Sequence, residues 1–137
     1  MKRGALLSRH LSQLVASIGH LDEITIADAG LPAPSGVAVI DLAVSPGIPS
    51  FFDVVSALSS EMVIEGAVEA EEASDDLKAR FAEKFWAWET SQNRPVGRPE
   101  IISHAAFKER TKNSKAIIRT GETTPYCNVI LIAGVAF

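Results

Sequence analysis

The sequence is poor in cysteine, in excess basic charge and in long apolar runs, and each shortage excludes a class of protein. Cys127 is the only cysteine among 137 residues, so no internal disulfide can form, and we expect a reducing compartment, the cytoplasm. The formal net charge of -4 provides no basic surface for nucleic acid. No apolar run approaches the roughly 18 residues that cross a bilayer, and the N-terminus lacks the pattern of a signal peptide. We therefore expect neither nucleic acid nor a membrane as a partner.

The motifs of metal, nucleotide and serine-hydrolase chemistry are also absent. His10, His20 and His104 are scattered, and neither an HExxH pattern nor a Cys/His cluster occurs. The stretches GLPAPSG and TGETTP match neither the phosphate-binding loop nor the dinucleotide fingerprint, and there is no GxSxG elbow. We therefore expect chemistry without a metal or another cofactor.

The chain is rich in apolar residues, and their spacing predicts helices that alternate with strands. Hydrophobic residues make up 47% of the sequence, enough for the core of one domain over 1–137. Apolar residues from Leu11 to Ile18 recur at helical spacing and predict a helix over 8–18, ended by a left-handed cap at Gly19. Further helices are predicted over 49–60, 71–90 and 104–114, and strands over 23–28, 37–44, 61–70, 100–103, 116–121 and 128–137.

The order of these elements predicts an α/β fold with a central, mostly parallel or mixed sheet flanked by helices. The C-terminal stretch NVILIAGVAF is apolar to its last residue, which indicates a buried strand or an interface element. Helix 71–90 groups Phe85, Trp86 and Trp88, which fit either a subunit interface or the core. Together these features favour a homo-oligomer.

Two polar residues flank the first predicted strand, within GHLDEITIADAGLP at 19–32. His20 precedes the strand, where a histidine can give and take protons near neutral pH or can stabilise the negative end of the preceding helix dipole. Asp28 ends the strand, where ligands gather in open α/β sheets and where an aspartate also commonly binds turn amides. The residues alone leave both alternatives open at each position.

A second set of candidates lies in the last third of the chain. Tyr126 and Asn128, in GETTPYCN, precede the last strand and suit the recognition of a polyhydroxylated ligand, or else form a turn with a structural asparagine. His104 and Lys108 are four residues apart and would face the same way on a helix. They would either bind oxygen atoms of a ligand or belong to a solvated surface.

Two stretches of the sequence, GHLDEITIADAGLPAP and RTGETTPYCN, are distinctive because no general folding rule requires them. With MKRGALLS and GIPSFFDVV, they resemble the bacterial D-ribose pyranases, which are relatives of the L-fucose mutarotases. The resemblance covers essentially the whole chain, and DAGLPAP favours the ribose type over the fucose type. It implies a cofactor-independent isomerase that interconverts the pyranose and furanose forms, and the anomers, of free D-ribose.

The resemblance also implies roles for individual residues. His20 matches the acid/base residue of the family. The matches to substrate-binding positions are Asp28, His104, Lys108, Tyr126, Cys127 and Asn128. Cys127 replaces the alanine usual at its position, so a contact from this residue would run through its backbone. The family forms ring-shaped oligomers, here expected to be a decamer, with sites built from neighbouring subunits.

Two alternative functions are also consistent with these residues. One is a mutarotase acting on another monosaccharide, such as L-fucose. The other is a non-catalytic sugar-binding module, which would keep Asp28, Tyr126 and Asn128 but would not need His20. The intact motifs favour the enzyme that acts on ribose.

Overall fold

The computed structural model describes residues 1–137, which fold around one six-stranded sheet. The strands are β1 (Glu23–Ala27), β2 (Ala38–Asp41), β3 (Ile64–Ala70), β4 (Glu100–Ile102), β5 (Ser114–Arg119) and β6 (Val129–Ala133). They lie in the order β2-β5-β1-β6-β3-β4. Strand β6 is antiparallel to both of its neighbours, whereas all other pairs are parallel. The predicted α/β class and mixed sheet are confirmed.

One α-helix precedes the first strand and three connect later strands, and all four begin in the same way. They are α1 (Arg9–Ser17), α2 (Phe51–Ser59), α3 (Asp75–Gln92) and α4 (His104–Arg110). The serine before each helix accepts a hydrogen bond from the backbone N–H three residues later, which satisfies an amide that the first turn leaves free. No helix is both long enough and apolar enough to span a membrane.

Helix α4 is shorter than the helix predicted over 104–114. It ends at Arg110, and Thr111–Asn113 form a single 3₁₀ turn. The Thr111 hydroxyl donates a hydrogen bond to the Lys108 carbonyl at 2.6 Å. This side-chain bond competes for a carbonyl that a continuing α-helix would use, so the helix tightens and stops.

The left-handed cap predicted at Gly19 is wrong. Ile18 forms the C-cap of α1 with φ -80°, and the left-handed residue is Leu21, with φ 67°. The Gly19 N–H donates to Asp22 Oδ2 at 2.8 Å. This hydrogen bond lowers the pKa of Asp22, opposed in part by desolvation and helped by Lys115. A side-chain acceptor therefore closes the turn that carries His20.

Apolar side chains cover both faces of the sheet. Helices α1, α2 and α3 pack on one face through a large cluster that includes Leu14, Phe51 and Phe81. Helix α4 covers the other face, where Phe107 packs with Ile117. Fully burying one such side chain contributes about 1.5–3 kcal/mol, so these two clusters fix the sheet between its helices.

The aromatic residues of α3 divide between core and surface. Phe85 and Trp88 are buried, and the Trp88 Nε1–H donates to the Met62 carbonyl at 2.9 Å. Trp86 is 71% exposed. The core interpretation is therefore confirmed for Phe85 and Trp88, and Trp86 is the one member of the group left available to a partner.

One acidic side chain of the sheet is buried. Glu69 of β3 is 2% exposed, and its Oε1 has no hydrogen-bond partner. Burial raises the pKa of Glu69 from 4.5 to about 7, and the charge of Lys78 opposes this only in part. Between pH 4.5 and about pH 7, Glu69 holds a proton in the folded chain but not in the unfolded chain. The free energy of unfolding therefore decreases as the pH rises through this range.

Glu69→Gln should weaken this pH dependence, because the amide stays neutral. The wild-type free energy of unfolding should fall by about 2–3 kcal/mol through this group between pH 4.5 and pH 8, and that of the variant should fall less. Urea unfolding at both pH values measures the difference. Glu71→Gln changes an exposed glutamate two residues away and should behave as wild type. Equal pH dependence in Glu69→Gln and wild type would contradict the assignment.

Candidate functional site

The ends of several strands meet at one edge of the sheet, called here the carboxyl edge. Asp28 follows β1, His104 begins α4 after β4, and Asn128 precedes β6. Because β6 is antiparallel, its first residues lie where β1 and β3 end. A cleft of about 490 Å³ opens at this edge. Its lining includes Asp28, Gly30, Leu31, His104, Glu122, Pro125 and Tyr126.

Asp28 and Asn128 hold each other at this edge. Asn128 Oδ1 accepts the Asp28 N–H at 2.7 Å, and Asn128 Nδ2 donates to Asp28 Oδ2 at 3.0 Å. The Gly30 N–H donates to Asp28 Oδ1 at 2.9 Å. Each carboxylate oxygen thus has one partner within the chain and keeps acceptor capacity for a ligand. Asp28 both binds a turn amide and lines the cleft, while the fully buried Asn128 orients it.

His104 and Tyr126 form an aromatic wall of the cleft. Their ring centroids are 5.0 Å apart with an interplanar angle of 80°. His104 Nδ1 is buried without a hydrogen-bond partner. Tyr126 has φ 62°, a left-handed conformation that costs a residue other than glycine about 1–2 kcal/mol. The Asn128 N–H donates to the Tyr126 carbonyl at 2.8 Å, which helps to hold this conformation.

Glu122 lines the cleft but is not among the candidate residues predicted from the sequence, although it lies in the distinctive stretch RTGETTPYCN. Its Oε1 accepts hydrogen bonds from the Thr124 hydroxyl at 2.9 Å and from the N–H groups of Thr123 and Thr124 at 3.2 Å. Its Oε2 accepts a hydrogen bond from the Phe51 N–H at 3.3 Å. Partial burial acts to raise the pKa of Glu122, but these hydrogen bonds outweigh it and hold the pKa below the usual value. A glutamate followed by two threonines was the available sequence signal.

Cys127 and Lys108 do not line the cleft. The Cys127 side chain is fully buried in the apolar cluster beneath α2 and α3, and burial, together with the charges of Glu122 and Asp28, raises the pKa of its thiol. Lys108 is exposed on α4, one turn beyond His104, and its side chain has no hydrogen-bond partner. Within one chain, these two side chains are separate from the cleft.

His20 lies at the opposite edge of the sheet, called here the amino edge. His20 precedes β1 whereas Asp28 follows it, and the five strand residues between them span about 16 Å at about 3.3 Å each. A groove of about 450 Å³ runs beside His20, lined also by Val15, Ile18 and the C-terminal residues 133–137. One chain therefore does not bring His20 together with Asp28, His104 and Tyr126.

The chemistry of the cleft suits a ligand with many hydroxyl groups. It presents a carboxylate acceptor, an imidazole and a phenol around an open volume, and these groups together donate and accept hydrogen bonds. No group of three or more histidine, cysteine, aspartate or glutamate side chains is placed to hold a metal ion.

Comparison with known proteins decides the family. Residues 1–136 match the family model described as the RbsD / FucU transport protein family. The chain belongs to this family. It is 49% identical over 140 residues to a D-ribose pyranase of Vibrio vulnificus and 45% identical over 139 residues to one of Bacillus subtilis, with 100% of both proteins covered in each case.

Solved structures of relatives share the fold. Bacillus subtilis RbsD complexed with D-ribose matches with a TM-score of 0.86 and 45% identity, over 100% of both chains. The fucose mutarotase from Streptococcus pneumoniae in complex with L-fucose matches with a TM-score of 0.77 and 25% identity, over 98% of this chain and 99% of that one. The family resemblance seen in the sequence is confirmed.

Asn128→Asp should disrupt the cleft, because it replaces the amide donor by a second carboxylate oxygen 3.0 Å from Asp28 Oδ2. Two such carboxylates repel each other unless one binds a proton. We expect the free energy of unfolding at pH 8 to fall by about 1–3 kcal/mol relative to wild type, with partial recovery at pH 5. Urea unfolding measures both values. Asn113→Asp, on an exposed turn, is the matched control, and an equal effect in both variants would show that Asn128 does not hold Asp28.

Proposed function

We propose that this chain is an isomerase that interconverts the pyranose and furanose ring forms, and the anomers, of free D-ribose. The observation that carries this proposal is the full-length match, at 45–49% identity, to proteins that are D-ribose pyranases. The similarity to RbsD complexed with D-ribose supports the same substrate. The fucose mutarotase is more distant, at 25% identity, so ribose is favoured over L-fucose.

The reaction requires proton transfers and positioned hydroxyl groups. The bond between the anomeric carbon and the ring oxygen breaks while the ring oxygen gains a proton and the anomeric hydroxyl loses one, which gives the open-chain aldehyde. After rotation about the carbon chain, the same or another hydroxyl attacks the carbonyl and the proton transfers reverse. A histidine can serve as both acid and base near pH 7, with an expected acceleration of about 10²–10⁴-fold.

We assign the proton transfers to His20 and the binding of sugar hydroxyls to a set of residues centred on the cleft. The proposed binding residues are Asp28, His104, Lys108, Tyr126, Cys127 and Asn128. The cleft supports this for Asp28, which keeps acceptor capacity, and for the rings of His104 and Tyr126. A contact from Cys127 would use its backbone because its thiol is buried.

The separation of His20 from the cleft leads us to propose that the complete site forms between copies of the chain. The amino edge of one copy, with His20 and residues 133–137, would face the carboxyl edge of the next. A head-to-tail contact of this kind generates a ring when its rotation closes. It would also cover Phe137, which is 95% exposed in the single chain. The family resemblance favours a decamer, with residues 1–137 as the repeated domain.

We further propose that the enzyme works in the cytoplasm. Its lone cysteine is a free thiol, which is typical of proteins from reducing compartments. A substrate that is a free sugar is compatible with this location.

His20→Ala should abolish most of the acceleration of ring exchange, because it removes the proposed acid/base group. Saturation-transfer NMR of D-ribose measures exchange between ring forms with and without protein. We expect wild type and His10→Ala, which alters an exposed histidine of α1, to accelerate exchange equally. His20→Ala should be slower by about 10²-fold or more. No acceleration by wild type would overturn the proposed function, and an unchanged rate in His20→Ala would overturn the role of His20.

A further inference from the structure

His20 has a single side-chain partner in the chain, which is Glu65. His20 Nε2 lies 3.0 Å from Glu65 Oε2. Glu65 is the second residue of β3, and His20 precedes β1, so the contact crosses the end of β6, which lies between those two strands. Gly134 follows β6 at this point, and a Cβ there would lie 3.2 Å from Val63 Cγ1 and 3.5 Å from Glu65 Cβ. A side chain at Gly134 would therefore press on Val63, whereas its distance to Glu65 is that of an ordinary van der Waals contact.

The chemistry of this contact determines which nitrogen of His20 holds the proton. An ionised carboxylate can only accept hydrogen bonds, so Nε2 must be the protonated nitrogen of the neutral imidazole. Nδ1 then carries the lone pair, and no group within the chain is bonded to it. His20 lines the groove of the amino edge, whereas Glu65 lines an adjoining hollow with Arg94 and Pro95 and is not part of the groove lining. With Nε2 bonded to Glu65, Nδ1 is the nitrogen left to act in the groove.

We propose that Glu65 is a positioning residue for ring opening, which fixes the Nε2–H tautomer of His20 and leaves Nδ1 to exchange protons with the sugar. This inference rests on the proposed role of His20. Nδ1 accepts the proton of the anomeric hydroxyl, and the ring becomes an imidazolium with both nitrogens protonated. Nδ1 then gives that proton to the ring oxygen as the carbon–oxygen bond breaks, which restores the neutral tautomer. Glu65 accepts from Nε2–H throughout.

If Glu65 only tied β3 to the turn before β1, its removal would change stability and would leave the His20 tautomer and the rate of ring exchange unchanged. Both side chains are about half exposed, at 51% for His20 and 40% for Glu65, so the contact adds little to the stability of the single chain. Its contribution to folding is a poor measure of its positional role, because a hydrogen bond to one nitrogen biases the tautomer and the ring orientation. A suitable test therefore measures the tautomer and the rate rather than stability alone.

The experiment compares Glu65→Ala and Glu65→Gln with wild type. The glutamine can still accept a hydrogen bond from Nε2–H through its amide oxygen, so it should retain part of the function. Nitrogen-15 NMR of His20 reports the tautomer, and saturation-transfer NMR reports ring exchange at low and at saturating D-ribose. Glu83→Gln, on an exposed position of α3, is the matched control.

We expect the Nε2–H tautomer in wild type and in Glu83→Gln, and a mixture of tautomers in Glu65→Ala. The exchange rate at saturating ribose should fall about tenfold or more in Glu65→Ala, with nearly unchanged ribose affinity and an intermediate rate in Glu65→Gln. A wild-type Nδ1–H tautomer, or a full rate in Glu65→Ala, would overturn the proposal for Glu65 and leave the proposed function intact. Failure of wild type to accelerate exchange would instead overturn the proposed function, on which this proposal depends.

Discussion

The antiparallel course of β6 between β1 and β3 determines where both halves of the candidate site lie. It brings Asn128 to the end of β1, where the amide can hold Asp28, and it delivers residues 133–137 to the opposite edge beside His20. If β6 ran parallel to its neighbours, Asn128 would lie at the amino edge and residues 133–137 would lie at the carboxyl edge. The strand is held there by burial, since Val129, Ile130 and Leu131 are completely inaccessible to solvent, and each such side chain contributes about 1.5–3 kcal/mol.

The two edges differ in how firmly their polar groups are fixed. At the carboxyl edge, Asp28 has partners on both carboxylate oxygens, and Glu122 gathers four hydrogen bonds from its own loop and from the start of α2. The Asn128 N–H in turn holds the strained, left-handed backbone of Tyr126, so this edge is a defined polar surface. At the amino edge, His20 has only Glu65 as a side-chain partner. In the role proposed for His20, the nitrogen that is free of this contact exchanges the proton.

Much of the fold could be predicted because local patterns encode local structure. Apolar spacing located the helices and strands, and α2 lies within the helix predicted over 49–60. The pairing of Asp28 with Asn128 joins residues 100 positions apart, and Glu122 reaches Phe51 across 71 positions. No local pattern reports such contacts. The stretch GHLDEITIADAGLP holds two of the candidate residues, yet the extended strand between them places His20 and Asp28 at opposite edges of the sheet.

A site shared between copies is tested most directly by combining two inactive variants. His20→Ala keeps the carboxyl-edge cleft but lacks the acid/base group, and Asp28→Ala keeps His20 but has a damaged cleft. Each variant should therefore be inactive alone in D-ribose ring exchange. In mixed oligomers made by producing both chains together, some sites would take His20 from one copy and Asp28 from its neighbour. In an equal random mixture, about half of the sites receive an intact His20, and about half of those also receive an intact Asp28 from the neighbouring copy. We therefore expect such oligomers to regain about a quarter of the wild-type activity. No recovery in oligomers shown by native mass spectrometry to contain both variants would contradict the shared site.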